Sequence, residues 1–491
     1  MTSQPQLISR SSFLGQIGAG LTGFASRSIG MFAAPDGMLP KGVVRPGDSI
    51  YEQARQDENA RLDFRPDIVA YCYCQDDIAE CVRWAAVNDK AVAIRSGGHD
   101  YEGFSLNNGG IVIDVSKYRG VAVAPGGDTA AIRAGTDLRM MYHELSKARR
   151  TLPGGTSASV AVAGLTTGGG YGLMARRYGL MCDKLRRVKM IDSRGHVRDS
   201  ATDKLGEDIL WACRGGGGGS FGVITDLEFD LVPVPEEVVY FSQRWDWSQD
   251  HAESILMRWM SWAKDAPREL TSTLTLAGGS PKTIRSTGLF LGNVSTLKPM
   301  LETLSADAPP KRSTIETLAH IEAVDRLAGP TSGRQSWKMK SSLGAHPLTS
   351  DGARAVVKQV EATPHAVTCI LEFNAFGGAV NDVKSGATAF PHRSMCYSLQ
   401  YQTYWNQESA ATDAFAWIRD AFAVIDPHTE RKSYRNYCDL DLTDWQRRYF
   451  AENYPRLQAI KVALDPRNLF RFPQSIELPH IVKPASLRKA L

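Results

Sequence analysis

Short apolar runs separated by polar and glycine-rich turns alternate along the first part of the chain. Residues 67–74 and 90–95 are compact apolar segments typical of strands, and residues 76–86 between them have helical spacing with an acidic first turn. Because a helix that joins neighbouring strands favours a parallel crossover, this order predicts a β-α-β unit with a parallel strand pair. A further strand is predicted at residues 109–115.

The pattern changes beyond residue 237. Longer helical repeats cover residues 249–264 and 408–424, and another helix is predicted in the stretch 441–470, ending at Asp465 and Pro466. Polar and apolar positions alternate at residues 272–276, 370–376 and 397–405. Such alternation is typical of an antiparallel sheet that buries one face and presents the other. The chain is therefore predicted to be an α+β protein whose second part carries an antiparallel sheet flanked by helices.

The composition is that of an ordinary soluble globular protein, with 491 residues, 43% of them hydrophobic and 22% charged. This length predicts two or three domains. With 57 basic and 53 acidic residues the net charge is +4, which is too balanced to favour nucleic-acid binding. The apolar runs fall short of the roughly 20 residues that cross a membrane, so no membrane span is predicted.

The N-terminal stretch resembles a weak export signal. Residues 9–14 read Ser-Arg-Ser-Ser-Phe-Leu, with Ser11 where a twin-arginine signal has its second arginine. We expect residues 1–44 to be either a degenerate export signal or a tail. The location of the protein therefore stays open between secreted or periplasmic and cytoplasmic.

Eight cysteines are spread along the chain, and Cys72, Cys74 and Cys81 lie close together. Neither a Cys-x-x-Cys partner nor a nearby histidine completes a zinc set. Since residues 68–74 have the pattern of a strand, these thiols are interpreted as small packing residues, and no metal is predicted.

The stretch from Arg95 to Ser105 carries the clearest chemical signal. A short apolar run ends at Arg95, two glycines follow, and His99 is presented directly after them. Glycine admits a ligand close to the backbone, and a histidine placed there can touch what the glycines admit. On its own the stretch could equally be a tight turn with a surface histidine.

Three further glycine clusters favour a ligand site. They lie at residues 154–155, 164–172 and 215–222. None has the Gly-Lys-Ser/Thr of a P-loop, and none fits the Gly-x-Gly-x-x-Gly fingerprint of a Rossmann site. Several glycine-rich loops around one site suit a dinucleotide whose pyrophosphate is held by backbone N–H groups.

In this order the segments resemble the berberine bridge enzyme-like flavoproteins of the vanillyl-alcohol-oxidase superfamily, which carry a PCMH-type FAD-binding domain. The resemblance also includes Arg176–Leu180, Asn436–Asp441 and Asn468–Phe470. It implies a two-part FAD-binding domain and a substrate domain whose antiparallel sheet covers the flavin. The predicted units are residues 1–44 (tail or export signal), 45–236 (FAD-binding domain, first part), 237–429 (substrate domain), 430–480 (return to the FAD-binding domain) and 481–491 (tail).

The resemblance implies an FAD that is bonded covalently to His99, whose neutral imidazole is a good nucleophile for the C8 methyl group of the flavin. Many relatives add a second bond from a cysteine in a Gly-Thr-Cys-Pro-Thr-Val segment. Here residues 155–160 match that segment and place Ser157 at the cysteine position, so a single bond is predicted. The residues predicted to bind FAD are Arg95, Ser96, Gly97, Gly98, His99, Asp100, Ser105, Gly155, Thr156, Ser157, Val160, Gly164, Gly168, Gly169, Gly170, Tyr171, Gly172, Gly222, Val223, Ile224, Asn436 and Tyr437, with Tyr178 as a further contact.

The resemblance also assigns candidate catalytic residues. Tyr437 matches the tyrosine that serves as base in relatives, and Arg435, two residues away on the same face of a strand, is expected to lower its pKa from the reference value of about 10. Strand alternation adds Glu372, Gln400 and Gln402 on presented faces, with Glu372 as an auxiliary base. Polar faces of this kind can also simply be solvated.

The implied activity is that of an FAD-dependent oxidase that transfers hydride from an alcohol, sugar or secondary-metabolite substrate to the flavin and reduces O₂ to H₂O₂. Val160 matches a position where valine accompanies oxidases, although a packed strand residue explains it equally well. The alternatives are a dehydrogenase or oxidative cyclase with poor O₂ reactivity, and a flavin-binding protein without turnover. The expected partners are a small-molecule substrate and O₂, and the oligomeric state stays open.

Overall fold

The computed structural model of the chain describes residues 39–172, 174–329 and 333–479. Most of the predicted export signal or tail at residues 1–44 lies outside the described residues, and so does the tail at 481–491. Among the helices of the described part, none is long and apolar enough to cross a membrane.

A four-stranded sheet opens the fold. Its strands are β1 (Val43–Val44), β2 (Ile68–Tyr71), β3 (Val92–Arg95) and β4 (Ile111–Asp114), with helices α1 (Tyr51–Ala54) and α2 (Gln75–Val87) in the connections. Asp77 accepts hydrogen bonds from the backbone N–H groups of Tyr73 and Cys74, so the acidic first turn caps α2. Strands β2 and β3 both pair in parallel with β4, which lies between them. Their parallel direction is as predicted, but the prediction of a direct pair is wrong.

A five-stranded antiparallel sheet follows, in the order β5-β6-β10-β8-β9. Its members are β5 (Val121–Val123), β6 (Thr129–Arg133), β8 (Leu185–Ile191), β9 (Val197–Asp199) and β10 (Val223–Asp230). A short pair joins β7 (Arg150–Thr151) to β11 (Val232–Pro233). The helices of this part are α3 (Leu138–Ser146), α4 (Val162–Thr167), α5 (Ala175–Tyr178) and α6 (Gly206–Cys213), with a 3₁₀ turn at Met181–Lys184.

The third sheet has seven strands, and each pairs antiparallel with its neighbours. Its strands are β12 (Glu237–Asp246), β13 (Leu270–Ala277), β14 (Thr283–Phe290), β15 (Arg312–Ala319), β16 (Ser336–Gly344), β17 (Thr368–Ala375) and β18 (Tyr397–Trp405), in the order β15-β12-β14-β13-β17-β18-β16. The accompanying helices are α7 (Gln249–Asp265), α8 (Val294–Leu304), α9 (His320–Ala328), α10 (Ser350–Glu361) and α11 (Ala411–Ile425), with 3₁₀ turns at Gly378–Val380, Glu408–Ala410 and Asp426–His428. The predicted antiparallel sheet flanked by helices is confirmed.

One face of this sheet is buried under helices. Leu371, Phe373 and Leu399 pack in one cluster with Trp259 of α7 and Trp417 of α11. The alternate positions of the same strands face the first part of the chain. Polar and apolar residues therefore alternate in the sequence because one face of the sheet is buried and the other is presented, as predicted.

The C-terminal part returns to the first hydrophobic core. The predicted C-terminal helix ends where expected, just before Asp465 and Pro466, but it is not continuous, because the chain forms α12 (Trp445–Phe450), a 3₁₀ turn (Ala451–Asn453) and α13 (Tyr454–Leu464). Ala451 has a φ of 44°, which an α-helix does not contain, and Pro455 starts the next helix at its first turn. Residues of both helices pack in one cluster with the four- and five-stranded sheets.

Candidate active site

A cavity of about 560 Å³ separates the glycine-rich loops of the first part from the presented face of the seven-stranded sheet. Small-molecule and cofactor sites typically have about 300–1,000 Å³. The loop after β3, helix α4 and the loop before it form one wall, and strands β16, β17 and β18 form the other. Residues 435–437 and Phe472 complete the lining.

Most of the predicted site residues meet in this cavity. From the glycine-rich wall and from the sheet, the lining includes Ser96, Gly97, Gly98, His99, Asp100, Ser105, Thr156, Ser157, Val160, Gly164, Gly222, Ile224, Glu372, Gln400, Gln402, Asn436 and Tyr437. Ser96 and Tyr437, the first and last of these residues, are 341 positions apart in the chain, so only the tertiary fold brings the set together.

His99 is held at the wall by tight packing of the loop that carries it. A Cβ at Gly97 would lie 2.7 Å from the backbone nitrogen of Ala161, so the loop fits closely only without a side chain there. The His99 Nε2 atom lies 2.9 Å from Ser159 Oγ and 3.9 Å from Glu58 Oε1. Burial lowers the pKa of the imidazole, against the opposing influence of Glu58. His99 is therefore a neutral imidazole at the cavity wall near neutral pH.

Four polar side chains form a continuous row along the sheet face. The Tyr404 hydroxyl donates to Gln402 Oε1 at 2.9 Å, Gln402 Nε2 donates to Gln400 Oε1 at 3.0 Å, and Gln400 Nε2 donates to the Tyr101 hydroxyl at 2.7 Å. The row ends on Tyr101, whose hydroxyl accepts this bond and keeps its own hydrogen for donation. Its members therefore offer both donors and acceptors to a ligand.

Tyr101 and Tyr437 stack face to face. Their ring centroids are 5.2 Å apart with an angle of 5° between the planes, and the Trp337 ring meets Tyr101 edge-on at 4.8 Å. The Tyr437 hydroxyl lies 3.0 Å from the hydroxyl of Tyr171. We call the rings of Tyr101 and Tyr437 the tyrosine stack.

Glu372 adds a carboxyl group to the same wall. It lies directly opposite Gln400 in the pairing of β17 with β18, and its Oε1 accepts a hydrogen bond from Asn374 Nδ2 at 3.1 Å. Burial raises the pKa of the Glu372 carboxyl above its usual value, and hydrogen bonds from Asn374 and Gln402 oppose that rise. A carboxylate with a raised pKa is a stronger base than an ordinary one.

Comparison with known proteins identifies the family. A model of the FAD binding domain matches residues 66–201, and a model described as berberine and berberine like matches residues 433–477. The uncharacterized FAD-linked oxidoreductase YgaK of Bacillus subtilis is 34% identical over 439 residues, which cover 88% of this chain and 96% of that protein. The chain belongs to the berberine bridge enzyme-like family of FAD-linked oxidoreductases.

Solved structures of other proteins share the fold of this chain. BBE-like 1 of Physcomitrella patens matches with a TM-score of 0.82 at 27% identity, over 89% of this chain and 97% of its own. A chitooligosaccharide oxidase matches with a TM-score of 0.82 at 26% identity, over 90% of this chain and 97% of its own. The predicted α+β fold with a PCMH-type FAD-binding domain is confirmed, and this berberine bridge enzyme-like protein is an FAD-dependent oxidoreductase.

The glycine-rich wall suits FAD. Gly164 in α4 lines the cavity, and no protein atom lies within 4 Å of the place where its Cβ would stand. At Gly218 a Cβ would meet only Thr167 Oγ1, at 3.1 Å. Bare backbone of this kind admits a large ligand in close contact. Gly164, Gly218 and the neutral imidazole of His99 would therefore hold the cofactor on this wall.

Arg95 supports this wall from behind and does not line the cavity. Its Nε donates to Asp114 at 2.6 Å, and its two terminal nitrogens donate to the carbonyls of Gln56 at 3.1 Å and Ala54 at 2.6 Å. The predicted direct contact of Arg95 with FAD therefore has no support from this cavity and stays a prediction. The guanidinium fixes β3, from which the His99 loop starts.

The triple glycine accommodates protein side chains and lies outside the cavity. A Cβ at Gly168 would stand 1.9 Å from Asn436 Oδ1, and the backbone N–H of Gly170 donates to the Tyr434 hydroxyl at 2.8 Å. These contacts bring the segment that carries Tyr437 against the end of α4. The other predicted cofactor residues that do not line the cavity are Gly155, Gly169, Tyr171, Gly172 and Val223.

Two further tyrosines have different placements from those expected. Tyr171 lies behind Tyr437, where its hydroxyl contacts that of Tyr437 and donates to Ser398 Oγ at 3.3 Å. Tyr178 donates to the carbonyl of Pro233 at 3.0 Å and does not line the cavity, so its contact with the flavin stays a prediction without support from this cavity.

Arg435 does not activate Tyr437. The segment 434–437 is a turn, and the Arg435 guanidinium lies over the rings of Phe104, Tyr449 and Phe472 at 5.8–5.9 Å. Burial raises the pKa of the Tyr437 phenol well above its usual value, and the nearby phenols add to this rise. The expectations that the two residues share a strand face and that Arg435 lowers the pKa of Tyr437 are wrong. Tyr437 is a neutral phenol here.

Several lining residues escaped the sequence analysis. They include Tyr101, Phe104, Thr167, Trp337, Met339, Tyr404 and Phe472. Tyr404 has the same alternation phase as Gln400 and Gln402, so the pattern that found those two contained the signal for it as well. The other lining residues carry no comparable signal, because their placement depends on contacts between distant segments.

Proposed function

We propose that the protein is an oxidase that converts an alcohol group of a sugar or secondary metabolite into a carbonyl group, with O₂ as the final electron acceptor. The substrate loses one hydride and one proton, and O₂ gains two electrons and two protons to give H₂O₂. The observation that carries the proposal is that the tyrosine stack, the amides of Gln400 and Gln402, and the carboxyl group of Glu372 meet in one cavity. The similarity to a chitooligosaccharide oxidase supports this substrate class.

The flavin, when bound, supplies the hydride acceptor. The hydroxyl of Tyr101 would hold the substrate oxygen, and that of Tyr437, which donates to Tyr171 in this structure, would turn to the same oxygen when substrate binds. Donors aimed at one oxygen stabilise the negative charge that develops on it. Glu372 would take the hydroxyl proton, since burial moves its pKa upward toward the working pH. Gln400 and Gln402 would bind further hydroxyl groups of the substrate. Tyr437 is thus assigned the role of a hydrogen-bond donor in place of the expected base.

A single covalent bond to FAD, through His99, is part of the proposal. The neutral imidazole borders the cavity, and Ser157, which lacks the thiol for a second bond, lines the same cavity. Formation of a C–N bond from His99 to the C8 methyl group would remove one hydrogen from each partner, and O₂ would accept the two electrons and two protons. Val160 also lines the cavity, which supports its assignment as the residue that leaves room for O₂.

Anaerobic mixing followed by exposure to air tests the function. Purified protein is mixed with a panel of sugars, aromatic alcohols and amines, and loss of flavin absorbance identifies a substrate. We expect an alcohol to bleach the flavin and air to restore the absorbance within the turnover time, with one H₂O₂ formed per carbonyl. Slow reoxidation would instead identify a dehydrogenase or oxidative cyclase. No bleaching by any class would leave a flavin-binding protein without turnover.

Glu372→Gln is expected to remove the acidic limb of the pH–rate profile. Because the raised pKa belongs to the folded enzyme, the carboxylate is the active form, and the wild-type kcat should fall as pH decreases through that pKa. In the variant kcat should be low and nearly independent of pH over the same range. Asn374→Ala, which removes a hydrogen bond to the ionised form, should shift the limb to higher pH. An unchanged acidic limb in Glu372→Gln would assign the base elsewhere.

A further inference from the structure

Two lysines are buried in the edge strand that forms part of the cavity wall. Strand β16 ends the seven-stranded sheet, and its residues Trp337 and Met339 line the cavity. Lys338 and Lys340 alternate with them and point away from the cavity, yet they are only 3% and 2% exposed. Lysine usually keeps its ammonium group in water, and burial is costly unless carboxylates pair with the charge.

The partners of these lysines come from the loops that carry the tyrosine stack. Asp439 bridges the two lysines, with one oxygen 2.8 Å from Lys338 Nζ and the other 2.8 Å from Lys340 Nζ. Glu102 contacts Lys338 through one oxygen and Arg61 at 2.9 Å through the other. Lys340 also reaches Asp441 at 2.5 Å. We call these six residues the charge network: Arg61, Glu102, Lys338, Asp439, Lys340 and Asp441.

The charge network adjoins both rings of the tyrosine stack. Glu102 directly follows Tyr101 in the chain, and Asp439 is two residues beyond Tyr437. Arg61 also donates to the backbone carbonyl of Tyr101 at 3.1 Å. Asp439 contacts Lys338 and Lys340, which lie on the same face of β16. If β16 shifted by one residue relative to its neighbour, both lysines would turn to the opposite face of the sheet. The network therefore defines a single register between β16 and the two loops.

We propose that the charge network is a positioning device for the two tyrosines. It holds the loops of Tyr101 and Tyr437 against β16, so that the rings stack 5.2 Å apart and their hydroxyls meet one substrate oxygen. This inference rests on the proposed function, because it concerns the geometry of the same cavity. None of the six residues of the charge network lines the cavity. The network therefore acts on the reaction only through the two tyrosines.

Asp439→Asn tests the proposal, because it keeps the shape of the side chain and removes the bridging charge. We expect kcat to fall about 100-fold with KM changed less than about threefold, since a displacement of about 1 Å at catalytic groups has an effect of that size. A crystal structure of the variant without substrate should show that the ring separation has changed from 5.2 Å. Asp439→Glu, which restores the charge, should recover part of the lost kcat.

Asp192→Asn is the matched control. Asp192 is buried, pairs with Arg198 at 2.8 Å and lies outside the cavity lining, so its loss should lower Tm without changing kcat. Asp441→Asn serves as a milder variant if Asp439→Asn does not fold, because Asp441 is the more exposed carboxylate of the charge network. For Asp441→Asn we expect kcat to fall while Tm stays unchanged.

The proposal is overturned if Asp439→Asn keeps the ring separation, or if its kcat falls no further than that of Asp192→Asn at comparable Tm. If the wild-type protein oxidises no alcohol, the proposed function fails by itself. The ring separation in the variant still decides whether the network positions the tyrosines.

Discussion

Replacing Tyr437 by Phe is expected to lower kcat by about 10²–10³-fold, because one donor to a developing oxyanion contributes about 2.7–4 kcal/mol. The substitution removes only the hydroxyl group, so the ring can remain stacked on Tyr101 and the fold and the flavin should be retained. The measurement is the rate of flavin bleaching in anaerobic stopped flow at saturating substrate. This rate isolates the chemical step from reoxidation by O₂.

Tyr171→Phe is the control for Tyr437→Phe. The Tyr171 hydroxyl does not line the cavity, and its loss removes neutral hydrogen bonds to Tyr437 and Ser398, each worth about 0.5–1.5 kcal/mol. Only the bond to Tyr437 involves a group assigned to the reaction. A decrease of no more than about tenfold is therefore expected. If Tyr437→Phe bleaches at the wild-type rate, the substrate oxygen is held by other groups and the assigned role of Tyr437 fails.

The sequence predicted those parts of the fold that depend on interactions between residues close together in the chain. Polar and apolar residues alternate at 370–376 and 397–405 because one face of the sheet is buried. This alternation predicted that Glu372, Gln400 and Gln402 lie on the presented face, and all three line the cavity. The insertion of β4 between β2 and β3 depends on long-range pairing, which no local pattern encodes. The break of the predicted C-terminal helix occurs at Ala451, an amino acid that by itself favours helix.

The site shows the same division between local and long-range information. A glycine cluster indicates that something approaches the backbone closely, but it does not tell a ligand from a protein side chain. The loop at Gly97 and Gly98 lines the cavity, whereas Gly168 faces Asn436. The contact between Lys338 and Glu102 joins residues 236 positions apart, and no spacing rule predicts such a pair.

His99→Ala is expected to abolish covalent attachment of the flavin. Because Ser157 stands where a second bond would need a thiol, no other covalent anchor should remain. The yellow colour of wild-type protein should stay in the pellet after acid precipitation, and that of the variant should pass into the supernatant. Mass spectrometry should find one FAD on the wild-type peptide that contains His99 and none on the variant.

Ser159→Ala tests how the hydrogen-bonding environment of the His99 imidazole affects the rate at which the covalent bond to the flavin forms. This variant removes the hydroxyl 2.9 Å from His99 Nε2 but leaves the nucleophile, so the flavin should still become attached, although more slowly. This rate is measured as the fraction of acid-stable flavin against time, after FAD is added to protein that was prepared without it.

Flavin that stays with the pellet of His99→Ala would place the covalent anchor at another residue. Flavin that is released from the wild-type pellet would exclude a covalent bond altogether. Because the neutral imidazole already borders the glycine-rich wall, the attachment should need no rearrangement of the loop that carries it.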